Sequence, residues 1–325
     1  MGPSIWCKQR SQCDSHDSWE RPHMKRFLAA AFGAIALTGA AFTQDEAQIT
    51  PAQSNVVYGM VSGAAMLMDV YTPIGERNGF GVIVVPGSGW YRPEIYSAPQ
   101  LKDLTNYHYV RNVVKALNEE GFTAFVINHR SSPGNRFPAA VNDTRRAVRY
   151  VRFAAEAYGI DPDHIATLGH SSGANLATMA ALMDDEPGDG LDAIDQTSAA
   201  VQATVGIATP FMLAGDPEEA SAYAAQTIAM YTGRPFFGMD NHYQASPPTA
   251  VAASPAAYAD AGDPPLYMID SMDDPIVPVS QGDYMLTVLN ETGARYEHVR
   301  TEGGEHNPAF DMAAMAAWLE DVLGE

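Results

Sequence analysis

The sequence predicts one α/β domain, built on a mostly parallel central sheet flanked by helices. Three observations carry that expectation. Residues 81–85 are a continuous apolar run and 122–127 a strand-like run that is apolar but for Thr123, as strands buried on both faces of a parallel sheet require. Stretches of helical periodicity separate such runs, at the spacing of right-handed βαβ crossovers. The chain has 325 residues, 46% of them hydrophobic, enough for one large core, and shows no internal repeat and no second segment with a core of its own.

Taken in order, the chain opens on a segment that reads as a leader. Met24-Lys25-Arg26 is a short basic start, residues 27–37 are apolar, and Thr38-Gly39-Ala40-Ala41 supplies small residues suited to cleavage. This is a secretory pattern, its apolar run too short for a span of about 20 residues. The expectation is a true start at Met24, with 1–23 an upstream extension, removal of 1–41, and a secreted or periplasmic mature chain without a stable membrane span. Both cysteines, Cys7 and Cys13, precede the leader, so the mature protein would rely on its core and not on disulfides.

Residues 42–55 are small and polar and read as a flexible lead-in to a domain spanning 56–325. Two strand-like runs within 56–71 flank Ser62-Gly63 and predict a hairpin. The 81–85 strand ends in the Gly-rich loop Pro86-Gly87-Ser88-Gly89-Trp90. A helix over 108–120 stops at Gly121, and the 122–127 strand follows. Residues 137–158 read as one long helix, with Val141, Ala147, Val148 and Val151 inward and Arg145, Arg146, Arg149 and Arg152 largely on other faces. A turn at 160–163 leads to a strand at 164–168. Beyond the next helix come an acidic loop (184–198) and a strand (201–208). Residues 209–262 lose the βα rhythm, carry Pro210, Pro217, Pro235, Pro247 and Pro248, and read as a cap-like insertion over the sheet. A strand at 265–269, a helix at 279–290, a strand at 295–300, a Gly303-Gly304 loop and a helix at 309–323 complete the chain.

Composition narrows the functional classes. Nineteen basic against 39 acidic residues give a net charge of -20. Nucleic acid is therefore not expected as a partner, since its binding depends on Lys and Arg neutralising phosphates. The acid excess reads as a soluble surface that repels its copies. Nothing in the sequence indicates an oligomeric state.

The chemistry concentrates at Gly169-His170-Ser171-Ser172-Gly173, a Gly-x-Ser-x-Gly turn between a short apolar strand and an Ala-rich helix. It has the shape of a nucleophile elbow, a strained turn that lifts a serine hydroxyl above a sheet. The glycines are needed where strand and helix pack closely. A serine hydroxyl is a weak nucleophile until a base takes its proton, and the base needs a carboxylate to orient it. In this architecture the chain order is Ser, acid, His, each at a strand's C-terminal end. Asp273 or Asp274, after the 265–269 strand, and His306, after the last strand, meet that order. Read blandly, Asp-Asp-Pro is only a turn and His306 only a capping loop residue. His298 lies inside a strand pattern and reads as structural, and His170 is expected to point away across the turn. Backbone N–H groups of Ser88, Gly89 and Ser172 are the candidate oxyanion donors; the plain alternative is that 86–90 is a strand-to-helix turn. No HExxH or cysteine cluster suggests a metal, and the chemistry requires no cofactor.

These residues resemble the α/β-hydrolase fold, and within it the esterase/lipase group carrying a His-Gly-Gly-Gly-Trp type oxyanion loop. The match is closest to the branch similar to bacterial feruloyl and acetyl esterases. Beyond the elbow, the markers are Phe137-Pro138-Ala139-Ala140-Val141-Asn142-Asp143, the stretch from Tyr158 through Gly159-Ile160-Asp161-Pro162-Asp163 to Ala166, and Asp274-Pro275-Ile276-Val277-Pro278. The resemblance selects Asp274 over Asp273, because the group's acid stands three residues before the Val-Pro pair. It departs where Pro86 replaces the usual His, Ser88 a Gly, Asp270-Ser271 a His-Gly and Gly173-Ala174 a Gly-Gly. It implies a serine carboxylic-ester hydrolase acting through Ser171, His306 and Asp274 and an acyl-enzyme, on small to medium esters with acetyl, feruloyl or other short acyl groups. Trp90 and Tyr91 are candidate pocket residues, with Phe211, Tyr231, Phe236 and Phe237 of the insertion beside them; for any single one of these, core packing is the stronger reading. The rival readings are a binding protein that keeps the fold without turnover, and an amidase or polyester hydrolase with the same three residues.

Overall fold

The computed structural model describes residues 49–92, 99–106, 108–188, 190, 192–214, 221–236, 239–244 and 246–325. The leader-like segment and residues 42–48 of the expected lead-in lie outside the described residues. The first elements are β1 (Gln53–Val61) and β2 (Ala64–Tyr71), paired antiparallel. Ser62 and Gly63 between them both have positive φ, 50° and 81°, the backbone of the two-residue turn whose twist suits a hairpin. β1 thus begins within the stretch read as a flexible lead-in, since Gln53 already pairs with Val70.

The alternating elements follow: β3 (Gly81–Val85), α1 (His108–Glu119), β4 (Thr123–Ile127), α2 (Ala139–Phe153), α3 (Ala155–Tyr158), β5 (Ile165–His170), α4 (Ser172–Leu182) and β6 (Ala203–Ile207). Next come α5 (Ala222–Thr232), β7 (Arg234–Phe236), β8 (Met239–Gln244) and α6 (Pro247–Ala252), all within 209–262. The chain closes with β9 (Leu266–Ser271), α7 (Ser280–Thr292), β10 (Tyr296–Thr301) and α8 (Met312–Leu323). The main sheet has the order β1-β2-β4-β3-β5-β6-β9-β10, and β7 and β8 pair only with each other. Among the described residues of the main sheet, β2 alone runs against its neighbours, and every pairing from β4 across to β10 is parallel; the separate β7–β8 pair is antiparallel. All the loops after β3, β5, β9 and β10 therefore emerge at one edge of the sheet.

Period-two alternation sorts the core into two layers. Ile83, Val85, Phe125 and Ile165 face α2 and α4, meeting Val141, Val148, Val151, Leu176 and Met179. Val82, Val84, Val126 and Leu168 face the other way, against Val113, Val114 and Leu117 of α1 and Met315 and Leu319 of α8. Strands buried on both sides explain why 81–85 is an unbroken apolar run and why 122–127 is apolar but for Thr123.

The expected bounds of the long helix are corrected. It starts at Ala139, because Pro138 disfavours helical backbone at Phe137, and it breaks at Ala154, where φ is -100° and ψ 14°. The arginines off its apolar face carry contacts that the sequence did not predict. Arg145 and Arg149 are buried and donate to the carbonyls of Asp184, Glu186 and Thr197, while Arg152 donates to those of Pro162, Ser198 and Ala200. They hold the acidic 184–198 loop by its backbone.

Candidate active site

The elbow is built where β5 meets α4. Ser171 sits between them with φ 56° and ψ -128°, a left-handed backbone that costs about 1–3 kcal/mol for a residue with a side chain. Its N–H donates to Ile207 O at 2.8 Å, tying the turn to β6. The flanking glycines are required by space. A Cβ on Gly169 would lie 2.2 Å from Gly173 O, and one on Gly173 would lie 2.0 Å from Val85 O. Any larger residue at either position would push α4 off the sheet.

His306, in the loop after β10, places Nε2 2.8 Å from Ser171 Oγ and Nδ1 2.8 Å from Asp274 Oδ2. A carboxylate only accepts, so Nδ1 carries the proton and Nε2 is left to accept the Ser171 hydroxyl. Asp274, in the loop after β9, spends Oδ1 on the N–H groups of Ile276 (2.8 Å) and Val277 (2.9 Å). Burial pushes its pKa up, but the His306 bond and these two N–H donors outweigh that and hold the carboxyl below its usual range. Asp273 faces elsewhere: its Oδ1 accepts from Ser271 Oγ and from the Glu305 N–H.

The three expected oxyanion donors are not equivalent. Ser88 N–H donates to Ser172 Oγ at 2.8 Å; it is already engaged, which corrects its assignment as a free donor. Gly89 and Ser172 N–H have no acceptor in the described turns and loops. Gly89 takes φ 63°, a conformation that favours glycine, and α5 closes over it: a Cβ there would come within 3.0 Å of Thr227 and of the Tyr223 hydroxyl. Trp90 is buried, stacks on Tyr231 at 4.8 Å, and has its carbonyl held by Ser132 N–H and Oγ.

A cavity of about 270 Å³ opens beside Ser171 on the side of Gly89 and Ser172. Trp90, Met212, Leu213, Ile228 and Val277 line it, with small residues of α5 and α6, and no charged side chain among the described residues does. Tyr91 does not line it; its backbone pairs with Ser132 instead. Phe211 and Tyr231 are core residues behind the wall. The Phe236 side chain and all of Phe237 lie outside the described residues. His170 does not point away as expected: its ring packs on that of His306, centroids 4.9 Å apart. His298 bonds Asp270 at 2.9 Å, within the sheet. Among the described residues, no group of three His, Cys, Asp or Glu converges as a metal site would require.

Comparison with known proteins adds a family. A model of the BD-FAE family matches residues 68–289, a stretch that contains Ser88, Ser171 and Asp274 and stops before His306. The chain belongs to that family. Esterase LipQ of Mycobacterium tuberculosis is 31% identical to this BD-FAE member over 255 residues, 75% of this chain and 54% of LipQ. The probable carboxylic ester hydrolase LipM of the same organism is 30% identical over 200 residues, 62% of this chain and 44% of LipM. The chain spans about half the length of the curated relatives it matches. Among solved structures, a truncated form of a carbohydrate esterase from gut microbiota superposes with TM-score 0.70 at 24% identity, covering 86% of this chain and 99% of that one. The shared architecture is the α/β-hydrolase fold.

The structure also brings to the candidate site residues that the sequence did not single out. Asn175, one turn into α4, is fully buried; it donates to Pro210 O and Ala253 O and accepts from Trp90 Nε1. The signal was there, a single amide in a helix whose other residues are apolar or small hydroxyls. The Ser172 hydroxyl gave no such signal, because its acceptor role needs the 86–90 loop in place.

Proposed function

We propose that this protein hydrolyses carboxylic esters of small to medium, uncharged acyl groups through an acyl-enzyme. The observation that carries this reading is the unbroken hydrogen-bonded run Ser171–His306–Asp274, with 2.8 Å at both links, at the mouth of an apolar pocket. Ser171 Oγ attacks the ester carbonyl as His306 Nε2 takes its proton. His306 then passes that proton to the leaving alcohol, and Asp274 orients the ring and stabilises its cation. Gly89 and Ser172 N–H groups receive the oxyanion, each such donor contributing about 3 kcal/mol. Water then repeats the sequence and frees the acid. The pocket is lined on the oxyanion side, by Gly89 and Ser172, which supports its holding the acyl chain. The esterase names of the family relatives support the bond class.

The test is hydrolysis of p-nitrophenyl acetate, butyrate and octanoate by wild type and Ser171→Ala. The expected result is turnover in the wild type and a loss of roughly 10⁴-fold or more in the variant. Equal rates in the two would remove the mechanism.

A further inference from the structure

Acyl transfer at Ser171 does not require a histidine at position 170, yet this one is tied to the proposed base. Its Nε2 lies 2.7 Å from the backbone carbonyl oxygen of His306. A carbonyl only accepts, so Nε2 carries the proton and donates. Tyr109 of α1 packs on the His170 ring, centroids 5.1 Å apart, and its hydroxyl donates to Pro308 O at 3.0 Å. Two donors from separate elements thus hold two carbonyls of the loop that carries His306.

That loop needs outside support. Gly303 and Gly304 take φ values of 79° and 96°, which glycine adopts freely, but Glu305 carries a side chain at φ 50°, and such a residue persists only where its surroundings determine it. Asp273 receives both the Ser271 hydroxyl and the Glu305 N–H. Those contacts anchor the loop before His306; His170 and Tyr109 anchor it at and after His306.

We propose that His170 and Tyr109 are positioning residues for His306, holding its backbone so that Nε2 stays on Ser171 while Nδ1 stays on Asp274. This rests on the ester-hydrolase reading above. Burial, reinforced by the charge of His306, lowers the His170 pKa to about 4, so the ring remains a neutral donor and adds no positive charge beside His306 when that ring becomes a cation. Groups that orient a functional histidine from behind act through geometry, and a misplacement of about 1 Å costs on the order of 100-fold in rate.

Three variants test the proposal: His170→Leu, which removes the donor at similar volume; His170→Gln, whose Nε2 reaches the same distance along its side chain; and Tyr109→Phe, which removes one oxygen atom. The readouts are kcat and KM on p-nitrophenyl butyrate, and the downfield proton resonance of the His306 Nδ1–H···Asp274 bond. His170→Leu is expected to lower kcat about 10- to 100-fold with KM within about threefold, and to broaden or abolish the resonance. His170→Gln recovers most of the rate and the sharp resonance. Tyr109→Phe lowers kcat by a smaller factor, and it carries the test if His170→Leu does not fold. The proposal is overturned if His170→Leu keeps wild-type kcat, if kcat falls with the resonance unchanged, or if His170→Gln is as impaired as His170→Leu. Turnover that survives in Ser171→Ala would instead overturn the ester-hydrolase reading, and the resonance would still report whether His170 holds the loop.

Discussion

Asp273 and Asp274 carry the same side chain one position apart, and their surroundings give them different work. Asp274 is buried and accepts from His306 and two backbone N–H groups; Asp273 is exposed and braces the loop through Glu305 N–H. An amide at 274 would still fill the space, but its NH₂ group offers His306 Nδ1 no acceptor and its single oxygen cannot serve the two N–H groups and the ring together. Asp274→Asn is therefore expected to lower kcat on the order of 10⁴-fold, with little loss of secondary structure. Asp273→Asn keeps an acceptor for Glu305 N–H and should stay within about threefold of wild type. Steady-state kinetics on one p-nitrophenyl ester reads both, and the reverse ranking would reassign the acid.

At the scale of elements, α4 does more than present Ser171. Through Asn175 it joins the Gly-rich 86–90 loop at Trp90, the segment after β6 at Pro210 and the end of α6 at Ala253. These three segments border the cavity, so one buried amide couples the elbow to the pocket wall. Truncating it leaves two carbonyls and one indole N–H without their partner, and each unpaired buried polar group costs about 1–3 kcal/mol. Asn175→Ala is expected to lose about 3 kcal/mol or more in urea unfolding, and to raise KM by a larger factor than it lowers kcat. A loss under about 1 kcal/mol would mean that water or backbone movement satisfies the groups in the side chain's place.

For the molecule as a whole, the buried titrating groups set the response to acid. The folded pKa of His170 is lowered to about 4, against roughly 6.5 in an unfolded chain. Below pH 6.5 the unfolded state takes up a proton that the folded state refuses, so stability falls as pH drops and continues to fall to about pH 4. The full shift is worth up to about 3 kcal/mol. His129 acts in the same direction, its pKa lowered first by burial. Asp274 adds a later loss, because a carboxyl depressed in the fold stabilises above roughly pH 3.9 and gives that up as pH falls through its folded pKa. Urea midpoints at pH 7 and pH 4.5 should therefore drop less in His170→Gln than in wild type. An equal drop would show that His170 takes its proton at an ordinary pH.

The parts of this protein that follow from local rules were legible in the chain. Apolar runs, glycines at 169 and 173, and strand ends followed by Ser171, Asp273-Asp274 and His306 reflect backbone sterics and period-two burial, which act over a few residues. The fold class followed from these, and so did the order of the candidate site. What only the tertiary structure decided depends on partners far apart in sequence. Burial of Arg145 and Arg149 under the acidic loop, engagement of Ser88 N–H by Ser172 Oγ, exclusion of Tyr91 from the pocket, and the turn of His170 onto His306 each require another segment to have docked first. A side chain at a strand end can adopt several rotamers, and no local pattern selects among them. At Gly169-His170-Ser171 the elbow itself was readable, because a Cβ has no room beside it; which way the histidine within it faced was settled by the loop that arrives 136 residues later.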